Sequence, residues 1–145
     1  MDNTQDAKPL FPCHCANMRL ASRVITQLYD RKLTPSGLTS TQYHLLRLVA
    51  RLEPINMSQL AKYAGLDRTT LVRNFKPLNE QGFIVDAPGA DRRTRELRIT
   101  ESGREIMDNA SVHWGDAQEN LGKFLGPQQL EALLALLGKI QAFPG

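Results

Sequence analysis

The sequence has few cysteines, no long apolar run and no phosphate-binding glycine loop, and each shortage narrows what the chain can be. Cysteine occurs only as Cys13 and Cys15, and two cysteines one residue apart cannot staple distant segments. No apolar run approaches the ~18–20 residues that a membrane span needs. The opening residues, MDNTQDAK, lack the basic-then-apolar order of a secretory signal. A reducing cytoplasm is the expected compartment, with no membrane partner. A nucleophile elbow, a glycine-rich phosphate loop and a paired-carboxylate signature are all missing. The expectation is therefore a protein that is not an enzyme and carries no cofactor and no resident metal.

What remains is ordinary in amount and uneven in placement. A chain of 145 residues with 41% hydrophobic content fits one domain with its own core. The formal net charge is only +3. Residues 56–98, however, hold eight Lys/Arg against five Asp/Glu, and residues 101–145 hold three against six. A basic middle beside an acidic end suggests a nucleic-acid-facing module next to a part with another task.

Periodicity divides the chain into six helices and a hairpin. Residues 1–10 are polar and expected to be flexible. A first helix is predicted from about Pro12 to Lys32, with Cys15, Met18, Ser22, Ile25 and Tyr29 on one stripe and Leu20, Val24 and Leu28 widening it. Thr34-Pro35-Ser36-Gly37 breaks it. Thr39 with Gln42 is a capping-box pattern that opens a second helix, 41–52, with Tyr43, Leu46 and Val49 inward. Ser58 is read as the cap of a short helix over 59–64, and Asp67 as the cap of another reaching about Gln81. Phe83-Ile84-Val85 and Glu96–Ile99 read as strands around a loop tip at 87–90. Thr100 caps a long fifth helix, and Gly126-Pro127 restarts a sixth that is rich in leucine.

The densest signal is Leu60-Ala61-Lys62-Tyr63-Ala64-Gly65-Leu66-Asp67-Arg68-Thr69-Thr70-Leu71-Val72-Arg73. Two short helices meet at a tight corner where Gly65 supplies a permissive backbone, with Leu60, Leu66, Leu71 and Val72 to fill the space between. The second helix would present Arg68, Thr69, Thr70, Arg73, Asn74 and Lys76. Those types suit a major groove, since Arg bridges guanine O6 and N7, Asn pairs with adenine, and Thr and Lys hold phosphates or a thymine methyl. The hairpin then concentrates Asp91, Arg92, Arg93 and Arg95 at its loop end. An arginine there suits a narrow minor groove, with Asp91 expected to hold Arg93 extended. Pro77, inside the reading helix, removes one backbone bond; it either redirects the last turn toward the hairpin or bends the helix without consequence.

The run Asp91-Arg92-Arg93-Thr94-Arg95-Glu96-Leu97-Arg98-Ile99-Thr100 resembles the D-x-R-x-x-x-L-x-L-T wing of the MarR family of bacterial regulators, with Ile99 in place of the usual leucine. The spacing from Gly65 through Gly82 to that wing is similar too, as is the closing helix pair. The resemblance implies a mainly α fold with a small β-hairpin wing, a winged helix-turn-helix, in a single domain over 11–145. Its DNA-binding lobe would be 39–100, and the helices of 11–33 and 101–145 would build a homodimer. It implies a repressor on a pseudo-palindromic operator in double-stranded DNA, with Arg93 as the minor-groove arginine.

Three features bear on a signal. Cys13-His14-Cys15 places two thiols about 200° apart if both are helical, which disfavours a bond between them. The pattern Cys15…Ala21-Ser22-Arg23…Tyr29 resembles the first helix of the organic-hydroperoxide sensors within that family, whose second tyrosine would fall at Ser40. A thiol or oxidant signal through Cys13, Cys15 and Tyr29 is one reading. A metal-responsive regulator using Cys13, Cys15 and one of His14, His44 or His113 is another. A small aromatic ligand against Met18, Tyr43 and Trp114 is the third, which the family resemblance suggests. A winged-helix adaptor that binds proteins without specific DNA binding is the remaining alternative.

Overall fold

The computed structural model describes residues 9–145, so the expectation for residues 1–8 lies outside the described residues. Helix α1 spans His14–Leu33, two residues later than the sequence suggests at its start, because Cys13 is its N-cap. The Cys13 sulfur accepts the Ala16 amide at 3.5 Å, and the Asn17 side chain donates to the carbonyls of Phe11 and Cys13. A 3-10 turn at Thr34–Ser36 leads to α2, Ser40–Leu52. Its capping box is the one expected: Gln42 N–H donates to Thr39 Oγ1, and Thr39 N–H to Gln42 Oε1.

Helix α3 is Met57–Ala64, capped by Asn56 rather than Ser58. Both residue types can cap, but only Asn56 has a glutamine three positions on. Gln59 returns the bond to the Asn56 amide, so two orphan donors are met instead of one. Gly65 then ends α3 in the left-handed region at φ 66°, where an L side chain would cost about 1–2 kcal/mol. Helix α4, Arg68–Glu80, is capped by Asp67 and runs through Pro77 without a break.

Strands β1 (Ile84–Pro88) and β2 (Arg95–Ile99) pair antiparallel, with Ile84 opposite Ile99 and Pro88 opposite Arg95. The strand thus continues through Ala87 and Pro88, which the sequence reading gave to the loop. A two-stranded sheet leaves β1 an open edge, where proline withholds no needed donor. Helix α5 is Glu101–Leu125, capped by Thr100, and α6 is Pro127–Gln141.

One core lies under α2, α3, α4 and the hairpin. Leu45, Leu46, Val49, Leu60, Leu71, Leu78 and Leu97 are fully buried, joined by Phe75. Phe75 takes the place that Val72 was expected to fill; Val72 is 46% exposed because it falls on the outer side of α4. Isoleucine 55 extends the hairpin by one bridge, exchanging backbone bonds with Leu97. At α5's start a methyl group on Gly103 would collide with the Phe83 carbonyl, so only glycine lets the helix sit against β1's entry.

The two ends of the chain behave differently. Within this chain α6 has no buried residue, and Leu134, Leu136, Leu137 and Ile140 face solvent. So do Leu20 and Val24 of α1 and Phe124 of α5. A groove of about 550 Å³ runs between α1 and the α5–α6 end, floored by Ile25, Leu28, Leu121 and Leu133. No helix among the described residues is long and apolar enough to cross a membrane.

Candidate nucleic-acid interface

Helix α4 owes its position to its buried side: Leu71, Phe75 and Leu78 recur at spacings of four and three. The opposite side exposes Arg68, Thr69, Val72, Arg73 and Lys76. Lys76 lies 3.8 Å from Glu80 in an exposed pair, and among the described residues Arg68 and Arg73 form no ion pair. Two residues expected on this face are turned back toward their own helix. Thr70 donates its hydroxyl to Asp67 at 2.8 Å as part of the cap, and Asn74 donates its amide to the Thr70 carbonyl at 2.8 Å. The Thr70 backbone amide, and then its hydroxyl, donate to the Asp67 carboxylate, favour its charged form and hold its pKa below the usual 3.8. Val72 was missed as a surface residue, although its place four residues after Arg68 signals the exposed stripe.

The wing tip is built differently from the expectation. Asp91 does not hold the Arg93 guanidinium; its carboxylate accepts the Arg93 backbone amide at 3.1 Å, and its carbonyl accepts from Thr94. An aspartate closing its own turn is the local geometry these residues favour. Arg92 and Arg93 are left exposed without ion-pair partners among the described residues, whereas Arg95 is occupied: its Nε lies 3.0 Å from Asp86 and its Nη2 donates to the Asp86 carbonyl. Arg68, Arg93 and Arg95 line one hollow of about 290 Å³ with the start of α3. The fold therefore brings the first residue of α4 to the wing, a proximity that sequence spacing did not reveal.

The wing's base is fixed by Glu53, which no sequence signal singled out. One carboxylate oxygen accepts the Ile99 amide at 2.8 Å, and the other accepts from Arg104 of α5 at 2.7 Å. Thr100 adds bonds from its amide and hydroxyl to the Phe83 carbonyl.

A MarR family model matches residues 38–94, the span that carries α2, α3, α4, β1 and the wing loop. The transcriptional regulator MosR of M. tuberculosis, solved in complex with DNA, is 34% identical over 90% of this chain and 96% of that one, with a TM-score of 0.75. The chain belongs to the MarR family. It is a DNA-binding transcriptional regulator and not an enzyme. The repressor CouR, solved on a 23-mer DNA duplex, is 24% identical over 89% of this chain and 92% of that one and shares the fold with a TM-score of 0.82. CouR bound to p-coumaroyl-CoA gives a TM-score of 0.82 at 22% identity, over 92% and 94%.

The residues considered for a signal in this MarR-family chain separate into two places. Cys13 and Cys15 are both exposed and free, and the Cys15 sulfur lies 3.6 Å from the Arg19 guanidinium. Because Cys13 precedes the helix in extended backbone, the helical-angle objection to joining the two thiols does not hold. Tyr29 is 14 residues further along α1, about 21 Å at helical rise, and donates its hydroxyl to Gln118 of α5 instead. Burial raises its pKa above 10.0. Among the described residues no group of three or more His, Cys, Asp or Glu is placed to hold a metal ion.

The second place is a cavity of about 200 Å³ between α1, α2 and α5, lined by Tyr29, Ser40, Tyr43, His44, Arg47 and Trp114. Met18, expected there, is 47% exposed and lies nearer the start of α1. The Arg47 guanidinium sits 4.6 Å from the Trp114 ring centre and 5.7 Å from that of Tyr43. Burial and then the Arg47 charge lower the His44 pKa below 6.5, which favours neutral imidazole.

Proposed function

We propose that this regulator is a homodimeric repressor that reads a pseudo-palindromic operator. Residues 39–100 serve as the DNA-binding lobe, and 11–33 with 101–145 as the dimerisation helices. The observation that carries the reading is the pairing of an exposed basic face on α4 with an arginine-bearing wing. Thr69 and Arg73 lie one turn apart on that face for base edges, Val72 supplies an apolar contact for a thymine methyl, and Lys76 reaches phosphate. Arg92 and Arg93 serve the minor groove. Asn74, Thr70, Asp91 and Arg95 act by holding the helix start and the wing in shape. The exposed leucines of α6 and the groove beside α1 support the dimer, since a protomer alone leaves that surface in water.

Selection of bound duplexes from a random pool, followed by footprinting, tests this. The expected consensus has two inverted half-sites about 10 base pairs apart, centre to centre. A pool that yields no consensus, with binding indifferent to salt, would instead describe an adaptor.

For the signal, the reading favoured is oxidation at Cys13 and Cys15. It is supported by two exposed thiols at the start of a helix, one of them 3.6 Å from the Arg19 guanidinium and both open to an oxidant. A small aromatic ligand is the second reading, favoured by the Tyr43–Arg47–Trp114 cavity, whose volume of about 200 Å³ suits a single ring.

A further inference from the structure

We infer that Glu53 is a positioning residue for DNA reading: with Arg104 it holds the end of β2 and so sets where Arg92 and Arg93 meet the minor groove. The inference rests on the minor-groove role proposed above for the wing and names a residue behind those contacts. Its basis is a short backbone ladder. Ile55 and Leu97 exchange both of their bonds, the Ile55 amide to the Leu97 carbonyl at 3.3 Å and the Leu97 amide to the Ile55 carbonyl at 2.7 Å. In an antiparallel ladder the next such pair lies two residues on in each strand, which sets Glu53 opposite Ile99. The Glu53 amide cannot serve there, because it closes α2 on the Val49 carbonyl. The side chain takes the place instead: Oε2 accepts the Ile99 amide at 2.8 Å, while Oε1 accepts from Arg104 Nη2 at 2.7 Å. A charged acceptor makes this the stronger kind of bond. The edge of β2 is therefore held at two points, Leu97 and Ile99, before the hairpin leaves the body of the lobe.

Two points matter because the wing is a lever arm. Leu97 is fully buried and makes the pivot. Two residues of strand span about 7 Å, so Ile99 and Arg95 stand at similar distances on either side of it. A shift of about 1 Å at Ile99 then moves Arg95 by about 1 Å. Arg92 and Arg93, beyond the Gly89–Thr94 rung, move further. A displacement of about 1 Å takes an N–H···O bond of about 2.9 Å out of range. Helix α4 is seated separately by Leu71, Phe75 and Leu78, and the carboxylate of Glu53 is bonded to β2 and α5 instead. Loss of Glu53 should therefore change the wing's share of the reading and leave the share of α4 in place.

The test uses the full chain on its selected operator, with flanks made A·T-rich or G·C-rich. Wild type is compared with Glu53→Ala, with the wing-tip variant Arg92→Ala/Arg93→Ala, and with the three substitutions combined. The wing-tip variant should lose about fivefold or more of the preference for A·T-rich flanks. Glu53→Ala should lose most of the same preference, keep the base preference that depends on Arg73, and add nothing to the wing-tip variant. Residues that share no contact ordinarily contribute additively, so the missing second loss is the mark of Glu53 acting through the wing. Amide exchange gives a readout apart from DNA: the Ile99 N–H should exchange faster in Glu53→Ala and at the wild-type rate in the wing-tip variant. Glu53→Gln covers the case in which the alanine variant does not fold. Its single carbonyl oxygen can accept from Ile99 or from Arg104 but not hold both as the carboxylate does, so the same flank-selective loss is expected at smaller size. An additive loss, equal weakening on every flank and base, tighter binding to every duplex, or unchanged Ile99 exchange overturns the inference and leaves DNA reading intact. A wing-tip variant with wild-type flank preference overturns the minor-groove role and this inference with it.

Discussion

Replacing Arg73 and Asn74 one at a time separates two neighbours that sequence alone assigns to the same task. Arg73 is exposed and ion-paired to nothing among the described residues, so Arg73→Ala should change folding stability by no more than ~0.5 kcal/mol. A bidentate contact to guanine is worth about 1–3 kcal/mol of discrimination, or about 5- to 150-fold between bases. Asn74 starts from a different state, because its amide already donates to the Thr70 carbonyl at 2.8 Å. Reading adenine requires giving up a bond whose net worth is about 0.5–1.5 kcal/mol, which offsets much of the gain. Competition titrations on operators carrying each single base change should therefore show one position losing preference in Arg73→Ala and little change in Asn74→Ala. The reasoning fails if Asn74→Ala relaxes a position more than Arg73→Ala does. It also fails if Arg73→Ala weakens every operator equally, for then Arg73 holds phosphate.

Four further outcomes are expected. Gly103→Ala should cost about 1–3 kcal/mol in urea unfolding, because the added methyl meets the Phe83 carbonyl and lies 2.8 Å from Ile99 Cγ1; an unchanged midpoint would show that α5 can shift freely. Phe124→Asp should raise the dimer dissociation constant about 30-fold or more by sedimentation if this ring, 72% exposed in the protomer, is an interface anchor, and an unaltered dimer would place the interface elsewhere. Cys15→Ser should abolish oxidant-dependent loss of operator binding, and a variant as sensitive as wild type would remove Cys15 from the signal. His44 has a folded pKa below its unfolded 6.5, so the unfolded chain binds more protons between those two values, and stability should rise with pH across that window; His44→Gln should flatten that rise in melting temperature, and an equal slope in both proteins would assign it to other groups.

The architecture was legible because each element carries its own punctuation. Thr39 with Gln42, Asp67, Thr100 and Gly65 each mark a boundary by chemistry that acts within four residues, and all four act in the fold as expected. The misreadings occurred where two local solutions compete. Asn56 and Ser58 can both cap a helix, and the choice falls to the one with a reciprocating glutamine. Val72 and Phe75 are both apolar, and α4 has room to bury only the side that carries Leu71 and Leu78. At the candidate site, residue types pointed to the right surface but not to what each side chain holds. Asp86 lies nine residues from Arg95 in sequence and is brought beside it only by strand register. The meeting of Arg68 with Arg93 likewise depends on how the hairpin folds back over the start of α3.

Glu53 shows why the wing cannot be treated as a loose loop appended to a helix pair. Its two carboxylate oxygens join the α2–α3 connection to the last residue of β2 and to Arg104 in the first turns of α5. Helix α5 then runs 25 residues, about 37 Å at helical rise, and ends among the exposed apolar residues proposed to form the dimer. In the proposed dimer, a helix tied to the wing at one end and to a partner at the other would convert a change in helix spacing into a change in wing position. Both signal candidates lie on helices packed against α5: the thiols on α1, and the Tyr43–Arg47 wall on α2, which faces Trp114 of α5 itself. A displacement of α5 from either place would reach the DNA-facing hairpin at the hydrogen bonds of Glu53, and α2 also touches β2 directly.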